Sequence, residues 1–405
     1  MLRGEKRRMI IRKLEQNDHG KTRELWEQVF PEDTKEFLDY YYFVKARDNQ
    51  IYVIEEEGEI RSMLQLNPYE IRIENRVFPS FYIIAVATQK EYRGRGYMGA
   101  LLRECMQEMY SKKVPFTFLM PAAEAIYLPY DFRYIYNQAV GKIEKDETAE
   151  KQKNILREND VLPGEKRTDC QKEKLECTDA MLWDAEQMAD FFKENFEGKW
   201  QVYAERSSEY YRTMILEQQS ERGGVKLIKK GDTIVGMFAY AGEGAPEVRE
   251  PLFLQGYEEE IVRQIRLLQK DSGKPVRVYA ASPSVRTDFR PVIMARIICL
   301  KQFLSALTVP EEMEMACSFA VIDPLVTQNS RIWKLYSGPD EQEIHVCETE
   351  DSEGVLPVAE LTELLFGRTP IEEIEKRPDV ILTEHLKEEL EKIVKLERVF
   401  FNEIV

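Results

Sequence analysis

The stretch Tyr92-Arg93-Gly94-Arg95-Gly96-Tyr97 decides how this chain is read. It follows a long apolar run over 77–88. Beyond it, Tyr97, Met98, Leu101, Leu102, Cys105, Met106 and Met109 fall on one helical face. A strand that passes through a basic, glycine-bearing turn into a helix makes an anion cradle. The first helical N–H groups have no intrahelical acceptor, and the helix dipole adds partial positive charge there. Gly94 and Gly96 let a phosphate approach the backbone closely, and Arg93 and Arg95 add fixed charge. The pattern predicts a ligand that carries a pyrophosphate.

Outward from the turn, residues 9–140 predict a mixed α/β unit. Strands are expected at 10–14, 51–56, 60–66, 77–88, 116–120 and 132–140, with helices over 20–30 and 37–44. Trp26, Phe37 and Tyr40 to Tyr42 are expected in its core. Residues 141–177 are rich in Lys, Glu, Asp and Gln, and predict a strand end followed by a solvated linker. A helix after a Thr178-Asp179 cap then opens a second series of helix, strands, strand–turn–helix and strand. Its turn, Gln255-Gly256-Tyr257-Glu258, lacks both arginines and the second glycine. A second copy of the fold would therefore have no phosphate cradle and no catalysis.

The segment 291–405 alternates differently, with strands at 293–298, 317–322, 331–336 and 343–347 and helices at 358–366 and 383–394. It closes with Arg398-Val399-Phe400-Phe401-Asn402-Glu403-Ile404-Val405. Exposed tails are usually polar and frayed. This one is apolar, and burial is expected. The organisation read from the sequence is an α/β (α+β) chain with domains at 1–145, 179–290 and 291–405 and a linker over 146–178.

Composition narrows the chemistry. A formal net charge of −16 over 405 residues argues against nonspecific nucleic-acid binding. It suits a cationic small substrate, or serves solubility alone. No apolar run is long enough to cross a bilayer. The basic start leads into the short Met9-Ile10-Ile11 rather than a signal-peptide core. Six scattered cysteines without a CxxC pair argue against a zinc site or a disulfide framework, and fit a cytoplasmic location. Only His19, His345 and His385 are available, which leaves little room for histidine catalysis, and no metal is expected.

The turn and its strand–helix context resemble the acetyl-CoA site of the GCN5-related N-acetyltransferase (GNAT) superfamily. The usual Gln/Arg-x-x-Gly-x-Gly/Ala is met except at Met98, which stands where the last small residue belongs. That departure is similar to the enhanced intracellular survival (Eis) type acetyltransferases. So is Ile126-Tyr127-Leu128-Pro129-Tyr130-Asp131-Phe132, which looks like their Ile-Tyr-x-x-Phe-Gly-Tyr with Asp131 in place of glycine.

The resemblance implies tandem GNAT folds, the second degenerate, followed by a sterol-carrier-like domain. It implies acetyl-CoA as cosubstrate and a primary amine as acceptor (aminoglycoside-like, polyamine or a lysine side chain), attacked directly in a ternary complex. Val86 and Thr88 would pair with the pantetheine arm, and the Val86 N–H would polarise the thioester carbonyl. Arg93 and the amides of Gly94, Arg95, Gly96, Tyr97 and Met98 would hold the pyrophosphate. Tyr127 would protonate the leaving thiolate. The α-carboxylate of Val405 would act as base, with Glu403 drawing in the cationic acceptor. A homo-oligomer is also implied. The alternative from another class is a non-catalytic acyl-CoA or lipid-binding protein.

Overall fold

A computed structural model describes residues 9–144, 175–242, 244–280 and 287–403. In chain order, β1 (Met9–Lys13), α1 (Arg23–Val29), α2 (Lys35–Phe43) and β2 (Gln50–Glu56) precede a hairpin of two long strands. These are β3 (Glu59–Ile73) and β4 (Arg76–Thr88), followed by α3 (Tyr97–Ser111), β5 (Phe116–Leu119), α4 (Glu124–Tyr127) and β6 (Arg133–Ile143). Next come β7 (Leu175–Asp179), α5 (Ala185–Phe196), β8 (Val202–Ala204) and α6 (Ser208–Ser220). Then follow β9 (Gly224–Lys230), β10 (Thr233–Ala241), β11 (Glu247–Phe253), α7 (Glu258–Ser272) and β12 (Val276–Tyr279). The last part holds β13 (Thr287–Ile297), α8 (Leu300–Leu304), β14 (Met315–Ile322), β15 (Ile332–Ser337), β16 (His345–Glu348) and β17 (Gly354–Pro357). It ends with α9 (Val358–Leu365), α10 (Ile371–Ile374), β18 (Ile381–Leu382), α11 (Glu384–Glu391) and β19 (Val399–Phe400).

The chain divides into two compact units. One comprises Met1–Asn137, Glu197–Glu205 and Pro291–Val405; the other comprises Gln138–Phe196 and Arg206–Arg290. In the first unit the strands run β1-β2-β3-β4-β5-β13, antiparallel except for the parallel β4–β5 pair. A second sheet of that unit runs β16-β15-β14-β17-β18.

Alternation along the β3–β4 hairpin sorts its two faces. Leu64, Leu66, Phe81 and Ile83 turn to one side, where the stripe Tyr97, Leu101, Leu102, Cys105, Met106 and Met109 of α3 covers them. On the other side Asn67 stands opposite Tyr82, and Tyr82 opposite Phe118. Among the aromatic residues of α1 and α2, Trp26, Phe37, Tyr40 and Tyr41 are buried, and the Trp26 and Tyr41 rings lie 4.6 Å apart. These four are core, as their sequence pattern predicts, whereas Tyr42, expected there too, is half-buried.

In the apolar tail Val399, Phe401, Asn402 and Glu403 are buried and Phe400 is half-buried, while Ile404 and Val405 lie outside the described residues. β19 pairs in parallel with β8, and β8 in turn pairs with the far end of β3. Phe400 stacks on Trp200 at 4.1 Å, and Phe401 stacks on Phe118 at 4.6 Å. Sinking Phe401 out of water contributes about 1.5–3 kcal/mol to holding the tail there.

In the second unit the strands run β7-β9-β10-β11-β12, and β12 also pairs with residues 141–143 of β6. The helix expected after Thr178-Asp179 starts later, at Ala185, because Leu175 and Cys177 alternate with polar neighbours and form a strand against β9. Most of the expected linker, up to 174, lies outside the described residues. Helix α6 had no counterpart in the sequence reading, although Ser207 caps it by accepting the Tyr210 N–H at 3.2 Å.

Candidate active site

Two irregularities shape the site. Between Met63 and Gln65 the β3–β4 register slips by one residue, so that Ala85 and Val86 together face Leu64. Ala85 sits at φ 50°. A bulged alanine in the left-handed region is strained, and bulges re-aim neighbouring groups. The second irregularity is a splay: β4 pairs with β5 only at Phe81 and Tyr82. From Ile83 to Thr88 the β5-facing edge of β4 has no strand partner among the described residues. An extended ligand can add itself along such an edge. Val86 and Thr88 lie on it, both half-buried.

The cradle follows directly. Gly94 and Gly96 have φ 75° and 81°, values that side chains with a Cβ rarely adopt, and the space a Cβ would take is open at both. Gly96 ends the turn in the left-handed region, and α3 begins at Tyr97 with the N–H groups of its first turn unclaimed by the helix. The two arginines differ. Arg93 donates from Nε to the Thr88 carbonyl at 3.1 Å, and no carboxylate among the described residues pairs with it. Arg95 lies 4.5 Å over the Tyr92 ring and 3.8 Å from the buried Glu56 carboxylate, so part of its charge is answered within the protein. The Tyr97 phenol donates to the same carboxylate at 2.8 Å; only its backbone belongs to the cradle. Met98 is half-buried at the edge of the α3 core. At the next position a Cβ on Gly99 would come within 2.6 Å of the Tyr130 hydroxyl, so the small residue that packs tightly here is Gly99.

Tyr127 closes α4 and is buried against Phe132, with ring centroids 5.8 Å apart. Its hydroxyl makes no hydrogen bond to a described residue. Burial pushes its pKa up to about 12. The phenol therefore keeps its proton across the neutral range and can act only as a donor there. Asp131, at the position expected to be glycine, has φ 62° and ψ 21°. Aspartate tolerates this left-handed conformation, so the turn keeps the shape that a glycine would give it.

Sequence reasoning missed Tyr82. It is buried, and burial foremost, then the Tyr69 phenol, raises its pKa. Tyr127 and Glu403 add to the rise, which places both within electrostatic reach of one phenol. Glu403 is buried and accepts the Asn402 N–H at 2.9 Å. The tail thus brings a carboxylate to the face of the sheet that carries Tyr82 and Phe118. Only the pairing of Tyr82 with Phe118 across β4 and β5 could have revealed this, and that pairing is not legible from local pattern. Among the described residues no group of three or more His, Cys, Asp or Glu could hold a metal ion, and no helix is long and apolar enough to cross a membrane.

A family model for an acetyltransferase (GNAT) domain matches residues 10–135, and one for a sterol carrier protein domain matches residues 300–403. No curated protein matches the chain significantly. Among solved structures, a probable N-acyltransferase of Enterococcus faecalis V583 is similar over 96% of this chain and 97% of its own, with a TM-score of 0.76 and 17% identity. A GCN5-related N-acetyltransferase from Anabaena variabilis covers 97% and 98%, with a TM-score of 0.73 and 18% identity. Eis1 from Mycobacterium abscessus covers 97% and 99%, with a TM-score of 0.67 and 13% identity. At these identities the likeness is one of fold. The two family models make residues 10–135 an acetyltransferase (GNAT) domain and residues 300–403 a sterol carrier protein domain, in a fold similar to that of Eis1.

Proposed function

We propose that the chain transfers an acetyl group from acetyl-CoA to a primary amine by direct attack in a ternary complex. The observation that carries this reading is the coincidence of the β4 bulge, the open β4 edge and the glycine cradle on one strand–turn–helix. Val86 and Thr88 would receive the pantetheine arm, and Arg93 with the amides from Gly94 to Met98 would receive the pyrophosphate. The re-aimed Val86 N–H would meet the thioester oxygen as it gains charge. As the C–N bond forms and the C–S bond breaks, Tyr127 gives its proton to the departing sulfur. One proton of the acceptor ammonium passes to the tail carboxylates before attack: Glu403, which would also attract the acceptor, and the expected α-carboxylate of Val405. The second, shed by the nitrogen as the amide forms, restores the Tyr127 phenol. An amine acceptor, whether a polyamine, an aminoglycoside-like molecule or a lysine side chain, fits the net charge of −16.

The test is release of CoA thiol with a panel of amines that includes spermine and kanamycin. Tyr127→Phe is expected to lower kcat by about 100-fold with CoA affinity nearly unchanged. A wild-type rate would remove Tyr127 from the mechanism. The raised pKa adds a second signature. Because burial lifts the phenol from the usual 10 to about 12, kcat should show no descending limb from this group below about pH 11. By linkage, the stability tied to the protonated phenol is complete below pH 10 and is lost as the pH rises through about 12.

A further inference from the structure

The turn that carries Tyr127 is gripped by residues far along the chain. Arg296, on β13 just ahead of the sterol carrier domain, is fully buried. Its guanidinium donates from Nε to the Tyr130 carbonyl at 2.9 Å and from Nη1 to the Ile297 carbonyl at 2.8 Å. Nη2 donates to Asp323 Oδ1 at 2.5 Å and stands 3.5 Å from Asp131 Oδ2. Asp323 is itself fixed within the sterol carrier domain. It accepts the N–H groups of Leu325 and Val326 at 3.0 and 2.8 Å and the Asn329 amide at 2.9 Å.

A second grip lies one turn on. Arg133 donates to the Phe132 carbonyl at 2.9 Å and pairs through Nε with Glu363 of α9 at 3.1 Å. Arg377 holds that glutamate from the other side at 2.5 Å. Two guanidinium groups therefore span from the sterol carrier domain to the backbone on either side of Asp131.

Burying a guanidinium costs several kcal/mol in desolvation, and an apolar residue of similar volume usually serves stability as well or better. What a planar fork supplies instead is fixed direction, since each of its N–H groups points one way. Here one of those directions ends on the carbonyl of Tyr130, three residues after Tyr127, and the next residue's carboxylate, Asp131, stands 3.5 Å from the guanidinium as an ion pair without a hydrogen bond.

We propose that Arg296 is a positioning residue: through the Tyr130 carbonyl and the Asp131 carboxylate it fixes the turn that aims the Tyr127 phenol. Through this contact the sterol carrier domain sets the geometry of proton transfer at Tyr127. This rests on the reading of Tyr127 as proton donor.

The experiment is a double-mutant cycle on the full chain, with spermine as acceptor and both kcat and the KM for acetyl-CoA measured. Arg296→Lys keeps the charge and removes the fork. It is expected to lower kcat about tenfold, leave KM within about twofold, and add no further loss to Tyr127→Phe. Asp131→Gly keeps the left-handed turn, since glycine adopts that conformation freely, and is expected to lower kcat about threefold in the same pattern. It carries the test if Arg296→Lys does not fold. A wild-type kcat in these variants overturns the proposal, as do losses that multiply with Tyr127→Phe. An unaffected Tyr127→Phe would instead strike the parent reading, which separates the two failures.

Discussion

The second unit builds the same local frame as the first and then closes it. In both, an antiparallel pair slips register by one residue: β3–β4 before Ala87, and β10–β11 before Leu252. In both, the first bulged residue is left-handed, Ala85 at φ 50° and Glu250 at φ 49°. Each bulged strand has a parallel neighbour whose pairing stops short of the bulge, and each leads through a positive-φ glycine towards a helix of fifteen residues.

The contents differ at every chemical position. Aligned on the bulge, Val86 corresponds to Pro251, which has no N–H to offer. The small Ala85 corresponds to Glu250, whose buried carboxylate takes two hydrogen bonds of 2.9 Å from the buried Arg206. Before α7 the Gly256 amide is taken by the Glu258 side chain at 3.0 Å, and Glu258, Glu259 and Glu260 fill the first turn. Carboxylates already stabilise that helix end, where a phosphate would be repelled. The lesson is that the frame and the function separate. A bulge and a splay can persist as architecture after donor, space and charge have gone.

The largest expected effect concerns the Arg206–Glu250 pair. Glu250→Gln removes the buried carboxylate from a bidentate ion pair and should destabilise the second unit by about 3–5 kcal/mol, read from its denaturant midpoint. CoA uptake should stay at one per chain; a second equivalent would break the comparison. Next, Val86→Pro moves the second unit's proline into the first. Loss of one oxyanion donor should lower kcat about 100- to 1,000-fold, with CoA affinity within a few-fold by calorimetry. The smallest effect sharpens the two helix starts against each other. Gly96→Val should weaken CoA binding by about 10- to 100-fold, through strain at φ 81° and bulk in the cradle. Gly256→Val should leave CoA binding unchanged, although its φ of 92° carries a comparable strain. Equal losses at both glycines would mean that affinity reports backbone strain and not ligand contact.

How much of this was legible in sequence depends on range. Gly94, Gly96 and the Leu/Met stripe of α3 speak locally, and the turn, helix and strand appear where their pattern puts them. Tyr127 was found through a motif of neighbours. The bulges were invisible because neither Ala85 nor Glu250 is a residue type that announces a left-handed backbone. Tyr82 and Phe118 read as ordinary strand aromatics until β4 and β5 are placed side by side. Arg296 lies 166 positions from the carbonyl it holds, and a lone arginine in an apolar strand gives no hint of its partner. Helix α6 went unseen because its buried residues, Tyr211, Ile215 and Gln218, make a thin and partly polar stripe.

The insertion of β8 between β3 and β19 has a consequence for synthesis. The far end of β3 waits for a partner whose contacts include the Arg72–Glu205 pair, 133 positions later, and β8 then waits for β19, where Gln201 meets Arg398 across 197 positions. A nascent chain emerging from the ribosome must therefore carry an uncovered strand edge while the whole second unit is being made. Closure of the first unit waits until β19 has been made, and a holding chaperone that shields the edge is the cellular help such a chain would need most.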